Sequence, residues 1–268
     1  MNDWASLVFA GIVLFGLGLI LGSFGNVVIA RVPEGKSVVR PRSACPACGT
    51  QILGRDNIPV ISWLILRARC RACGERISAR YPLVELSAGV VFVLLGWWAW
   101  QSDSLGLLPL LLAWGLVGLC LAMIDADHHR LPDALTLPML LVTPAGLLLA
   151  QLLGDDRSWL DAAWGVVIWL GAIGGLWALS RGRGMGLGDV KLAPSLGALL
   201  GWIGLGSAVV GLLAAFIVGA LIGITLMLVH RAGRRSRIAF GPFLLLGTLI
   251  GVLVGEPISA AYWSGFVG

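Results

Sequence analysis

Gly184-Met185-Gly186-Leu187-Gly188-Asp189-Val190-Lys191 is a glycine-rich turn that delivers one carboxylate to the start of an apolar segment. A charge at membrane depth is costly, so an acid kept there marks a functional site by default. Glycine at 184, 186 and 188 removes Cβ atoms that would restrict the backbone or hold a second chain away, so an extended peptide can lie close to Asp189. Only one other stretch places a carboxylate in the matching position. It is Ile124-Asp125-Ala126-Asp127-His128-His129-Arg130-Leu131-Pro132-Asp133, just after another apolar run. Two aspartates from different spans, meeting at one membrane face, form the arrangement that the flanking sequence has to build.

The flanking sequence is that of a membrane protein. Of the 268 residues, 58% are hydrophobic and 12% charged, about half the charge of a soluble domain. Several runs approach the roughly 20 residues that a spanning helix needs. The fold class expected is therefore an all-α polytopic membrane protein with about eight transmembrane helices. The spans lie at about 7–30, 83–101, 105–124, 134–153, 159–179, 192–205, 207–230 and 239–256. The sixth is short and glycine-rich, which predicts a tilted, broken or partial crossing.

The net charge of +5 reports orientation rather than nucleic acid. The first charge is Asp3 and the first basic residue Arg31, the reverse of a cleaved signal peptide. A retained first helix with its N-terminus outside puts 31–82, 125–133, 180–191 and 231–238 inside. Those segments hold 18 of the 19 Lys and Arg, and only Arg157 falls outside them. Asp125 then leaves the third span, and Asp189 enters the sixth, on the same cytoplasmic side. Tryptophans such as Trp97, Trp98 and Trp100 read as interfacial anchors, and His230 is expected at the inner interface.

This topology divides the chain into a first helix (1–30), a cytoplasmic loop domain (31–82) and a core of about seven helices (83–268). The loop carries Cys45-Pro46-Ala47-Cys48, then 21 residues, then Cys70-Arg71-Ala72-Cys73. Two such pairs suit a tetrahedral four-thiolate zinc site, with Cys45, Cys48, Cys70 and Cys73 as ligands. Glycine follows each pair, at 49 and 74, and relieves the turn. A reducing cytosol disfavours the alternative of two disulfides. Four thiolates leave no open position, so the metal is expected to be structural and to supply folding free energy to a loop with little core. Cys120, within the third span, reads as a small packing residue.

The other polar residues carry weaker expectations. Adjacent His128 and His129 would point about 100° apart on a helix and would not chelate. Asp127 competes with Asp125, whereas Asp133, after Pro132, is expected to cap the fourth span. Lys191 either snorkels to the interface or tunes Asp189. Gly22-Ser23-Phe24-Gly25-Asn26 serves either packing or binding. Two carboxylates forced together share a proton. One can then activate water while the other polarises a peptide carbonyl, which is aspartic-protease chemistry. A transporter would place such acids near the bilayer midplane between repeats, and no repeat is visible. A zinc-loop scaffold leaves the aspartates unexplained.

In this order, the motifs closely resemble those of the prepilin peptidases, also called type IV leader peptidases, of bacterial pilus and type II secretion systems. The matching stretches are Gly-Ser-Phe-x-Asn-Val-Val-Ile at 22–29, the cysteine pairs, Ile58-Pro59-Val60-Ile61-Ser62-Trp63 and Arg80-Tyr81-Pro82-Leu83-Val84-Glu85. The Asp125 to Asp133 motif and Gly186-x-Gly188-Asp189 complete the set. The resemblance implies that Asp125 and Asp189 are the catalytic pair, with Gly186, Gly188 and Lys191 supporting the turn. It implies cleavage of a basic leader after glycine, from prepilin and pseudopilin precursors, at the cytoplasmic face of the bacterial inner membrane. Relatives with the complete tetracysteine loop usually also methylate the new N-terminus with S-adenosylmethionine, so that donor is expected too. The sequence departs at Gly25, where leucine is common. No glycine-rich nucleotide fingerprint follows a strand, so the residues do not place the donor site.

Overall fold

The computed structural model describes residues 3–183, 185–229 and 239–267. Gly184, His230 and the basic segment 231–238 lie outside them. The described residues form nine helices and no strand of a sheet. They are α1 (Asp3–Arg31), α2 (Ile61–Ile65), α3 (Arg80–Gln101), α4 (Leu108–His128), α5 (Asp133–Leu152), α6 (Trp159–Ser180), α7 (Leu187–Ile203), α8 (Leu205–Leu228) and α9 (Gly241–Val267).

Seven helices among the described residues are long and apolar enough to cross a bilayer. This bears out an all-α polytopic membrane protein, with one refinement. The sixth expected span is α7, whose 17 residues fall short of a crossing. It is instead the most enclosed helix of its region, with Leu192, Ala193, Leu196 and Leu200 fully buried. A short helix surrounded by protein does not have to match the bilayer thickness.

The chain divides into two compact units. The first comprises Met1–Trp97 and Leu111–Cys120. In it, α1 lies backbone to backbone on α3. A Cβ at Gly18 would stand 2.6 Å from the Ala88 carbonyl oxygen, and one at Gly22 2.9 Å from the Glu85 Cα. Small residues four apart permit this approach, which dispersion forces and lipid release reward inside a membrane. Gly25, the departure from the family pattern, faces Cys120 of α4, whose Sγ would lie 3.3 Å from an added Cβ. Cys120 is buried, as expected of a packing residue.

The second unit comprises Trp98–Leu110 and Leu121–Gly268. Gly165 of α6 meets Gly197 and Gly201 of α7 with no room for a side chain. On the other flank, Ser207, Gly211 and Ala215 of α8 meet Gly247, Gly251 and Gly255 of α9. Both seams repeat small residues every four positions, the spacing that lines up one helix face. The buried Trp169 of α6 donates its indole N–H to the Ala208 carbonyl of α8 at 2.9 Å. Arg157 donates to the Ile203 carbonyl at the end of α7 and to Ser104 Oγ, each at 2.7 Å. It thus supplies a cation and donors to the end of a helix that lacks them.

Candidate active site and thiolate cluster

The glycine turn before α7 sets the position of Asp189. Gly186 is extended (φ −77°, ψ 152°) and serves as the N-cap. Its N–H donates to Asp189 Oδ2 at 3.0 Å. This is the reciprocal half of a capping box, glycine having no side chain to make the other half. The carboxylate therefore sits at the positive end of its own helix. Asp189 is 6% exposed, and its other oxygen, Oδ1, is buried without a hydrogen-bond partner among the described residues.

Asp125 stands in the last turns of α4, the end where an acid is least favoured. A second helix compensates: Oδ2 accepts the Gly241 N–H at 2.9 Å, where α9 begins. The side chain is 5% exposed. His129 ends α4 in the left-handed conformation (φ 52°), its N–H returning to the Asp125 carbonyl at 2.8 Å.

Both aspartates belong to the second unit, and they lie close enough for their charges to interact. Leu131 packs beside the glycines that adjoin both: Gly188, next to Asp189, and Gly241, whose N–H holds Asp125. A Cβ at Gly188 would stand 2.8 Å from Leu131 Cβ, and one at Gly241 3.1 Å from Leu131 Cδ2. The Gly241 position would also bring a Cβ within 2.7 Å of Asp125 Oδ2. Two buried carboxylates, each held by a backbone N–H at a helix start, can share one proton and so offer a base and an acid at once.

The neighbouring polar residues fall outside this pair. Lys191 pairs with Asp133, its Nζ lying 2.7 and 2.9 Å from the two carboxylate oxygens. It ties α7 to α5 rather than touching Asp189. Asp133 makes no capping hydrogen bond: Pro132 holds the N-cap position, and the carboxylate turns to Lys191 instead. Asp127, His128 and His129 are exposed. Gly241 and Leu131 were not singled out from sequence. The only available signal was the Gly241-Pro242 start of the last helix, since proline is favoured in a first turn.

The first unit holds the four cysteines. Each pair folds into the same knuckle. Cys45 N–H bonds the Thr50 carbonyl and Gly49 N–H the Cys45 carbonyl, at 3.0 and 2.9 Å. Cys70 and Gly74 repeat this with Glu75 and Cys70, at 2.8 and 2.9 Å. Gly49 (φ 71°) and Gly74 (φ 73°) both take the left-handed turn that glycine makes without strain. All four Sγ atoms lie within 4.8 Å of one another, with Cys45 and Cys73 at 3.9 Å. Four thiolates on a tetrahedral zinc, at about 2.3 Å each, stand roughly 3.8 Å apart, so the cluster fits such an ion. Hydrogen bonds with the Thr50 hydroxyl and backbone hold the Cys48 thiol down at about 6, while the neighbouring sulfurs of the cluster push Cys73 up. Arg71, inside the second knuckle, grips Asp56 through Nε at 2.9 Å and a terminal nitrogen at 2.7 Å.

Comparison with known proteins agrees with this division. The model of the bacterial peptidase A24 N-terminal domain matches residues 16–99, which contain the four cysteines. That of the type IV leader peptidase family matches residues 110–224, which contain both aspartates. A prepilin leader peptidase/N-methyltransferase of Stutzerimonas stutzeri is 39% identical over 92% of this chain and 91% of its own length. Those of Pseudomonas aeruginosa and Aeromonas hydrophila are 37% and 40% identical, covering 92% and 95% of this chain and 91% and 94% of theirs. No solved structure matches. The order of motifs, the paired aspartates and these relatives agree: the chain belongs to the type IV leader peptidase family.

Proposed function

We propose that the protein is a bifunctional membrane enzyme. It cleaves the leader of type IV prepilins and type II pseudopilins after a glycine, then methylates the exposed amine with S-adenosylmethionine. The observation that carries the peptidase is the pair Asp125 and Asp189, both buried and within electrostatic reach. The relatives named for both activities support the pairing of reactions.

In the hydrolysis, the ionised aspartate takes a proton from water as its oxygen attacks the scissile carbonyl. The protonated aspartate donates to the carbonyl oxygen. The tetrahedral adduct then expels the amine, which takes up a proton, and the two acids return to sharing one. Gly188 lets Leu131 pack close against the turn that carries Asp189, Gly186 lends that carboxylate its N–H, and Lys191 steadies α7 through Asp133. In the first unit, Cys45, Cys48, Cys70 and Cys73 would hold a zinc ion whose role is to cross-link the loop. The domain reading follows: a first helix at 1–30, a cytoplasmic zinc domain at 31–82 and the peptidase core at 83–268. The confinement of 18 of 19 basic residues to alternate loops supports a periplasmic N-terminus and a cytoplasmic active site in the bacterial inner membrane.

The test is incubation of the purified protein, in detergent, with a full-length pilin precursor and S-adenosylmethionine. Mass spectrometry should find the leader removed after glycine and one methyl group on the new N-terminus. An intact precursor would overturn the peptidase. A cleaved but unmethylated product would overturn the second activity alone.

A further inference from the structure

The first unit contains a cavity of about 650 Å³ between the end of α1, the cysteine loop and the start of α3. This is the size range of small-molecule sites, and so is its character: mainly apolar walls with a few placed polar groups. Ile52, Leu66 and the ring of Trp63 supply an apolar wall, the Trp63 indole N–H being spent on the Ile77 carbonyl at 3.1 Å. On the opposite side, Asn26 and Glu85 line the cavity from α1 and α3.

Glu85 is the unusual group there. It is 7% exposed, and Oε2 accepts the Val60 N–H at 2.7 Å. Val60 itself has φ 61° and ψ −50°, a conformation that a β-branched residue adopts only when its surroundings enforce it. The sequence Pro59-Val60-Ile61 is thus pulled into a strained turn whose N–H points at a buried acid. Backbone strain of this kind gathers at ligand sites. An apolar protein wall would be cheaper than a buried carboxylate unless that carboxylate faces a cation.

We infer that this cavity binds S-adenosylmethionine, with the adenosine against the Trp63 wall and the sulfonium facing Glu85. The inference rests on the methyltransferase reading above and locates it. Asp56, Glu75, Arg31, Arg71 and Arg76 also line the cavity, Asp56 being paired with Arg71, whereas Glu85 is the carboxylate buried against the Val60 turn. The donor is a cation whose positive sulfur carries the methyl group, so a carboxylate held there favours it over the product, which lacks that charge. In the transfer, the free amine of the cleaved pilin attacks the methyl carbon. A C–N bond forms and the C–S bond breaks, its electron pair remaining on sulfur. The product thioether is neutral, and the methylated ammonium loses its extra proton to solvent. As the charge leaves sulfur, the attraction to Glu85 lapses, which favours release of S-adenosylhomocysteine. Glu85 therefore positions the donor and does not itself exchange a proton.

The experiment is equilibrium binding of tritiated S-adenosylmethionine to the detergent-purified full chain. It compares wild type, Glu85→Gln, and Val27→Trp, which fills the cavity from α1. Glutamine can still accept the Val60 N–H, so Glu85→Gln removes the charge and keeps the turn. Circular dichroism and retained metal check that both variants fold. Each should bind the donor at least tenfold more weakly, whereas S-adenosylhomocysteine should lose affinity to Val27→Trp but little to Glu85→Gln. Folded variants that bind the donor as wild type does would place its site elsewhere and leave the methyltransferase reading standing. Failure of the wild type both to bind and to methylate would overturn that reading and this one together.

Discussion

The two units stabilise polar chemistry in opposite ways. In the second, the aspartates are held by the scaffold itself: close-packed helices, glycine seams and two helix N-termini aimed at carboxylates. In the first, a loop of about fifty residues with little core is gathered at one point by four thiols, and its cavity is walled by that loop. A helix bundle can fix a charge rigidly because its backbone is already satisfied. A loop has to be tied before it can present anything. On the sites proposed above, peptide cleavage and methyl transfer, although carried on one chain, answer to different structural supports.

The strongest way to break that contrast is to remove one carboxylate. Asp125→Asn or Asp189→Asn should lower leader cleavage by at least about 10³-fold, and the double change should cost little more, as for groups that act as a unit. Methylation of an already cleaved pilin should persist. If it disappears in a folded Asp189→Asn protein, the two reactions do not have separate supports.

The converse change is Cys45→Ser with Cys48→Ser. The protein should lose stoichiometric zinc, measured by metal analysis of the purified chain, and methyl transfer should fall by more than about tenfold with the tied loop. Leader cleavage should survive better than methylation. Equal loss of both would show that the second unit depends on the first.

The glycine seams sharpen the comparison on the stability side. Gly197→Val drives a side chain into the Gly165 backbone, whereas Gly171→Val on α6 meets nothing within 4 Å. The first should destabilise by about 1–3 kcal/mol relative to the second, read as a lower melting temperature in detergent. Equal melting of the two variants would mean that the seam does not carry the packing.

The smallest effect is expected at Lys191→Met. The Lys191–Asp133 pair is 38% and 56% exposed, and such ion pairs are worth about 0–1 kcal/mol. Leader cleavage should fall by no more than a few fold. A loss on the scale of Asp189→Asn would give Lys191 a direct part in the chemistry.

Much of this was legible in the sequence because membrane helices and metal knuckles are written locally. Composition sets the spans, Cys-x-x-Cys followed by glycine sets each knuckle, and a carboxylate next to a glycine turn marks the start of α7. What was not legible depends on distance along the chain. The Gly241 N–H that holds Asp125 lies 116 residues away, and Lys191 reaches 58 residues back to Asp133. No periodicity encodes those meetings. The shortness of α7 was legible, but its enclosure was hidden for a related reason. Its apolar composition is that of a lipid-facing helix, and only the helices packed around it show that it is buried in protein.

The two knuckles have one more consequence, for the chain that joins them. Each closes through hydrogen bonds within a handful of residues and so forms with little loss of chain freedom. The cost of bringing the two together is that of closing the 21 residues between them. That cost grows only logarithmically, so doubling the intervening length would weaken closure by about 0.6 kcal/mol. The joint between the knuckles is thus free to lengthen over evolutionary time, provided that Pro59-Val60-Ile61 and Trp63 keep their places on the cavity wall.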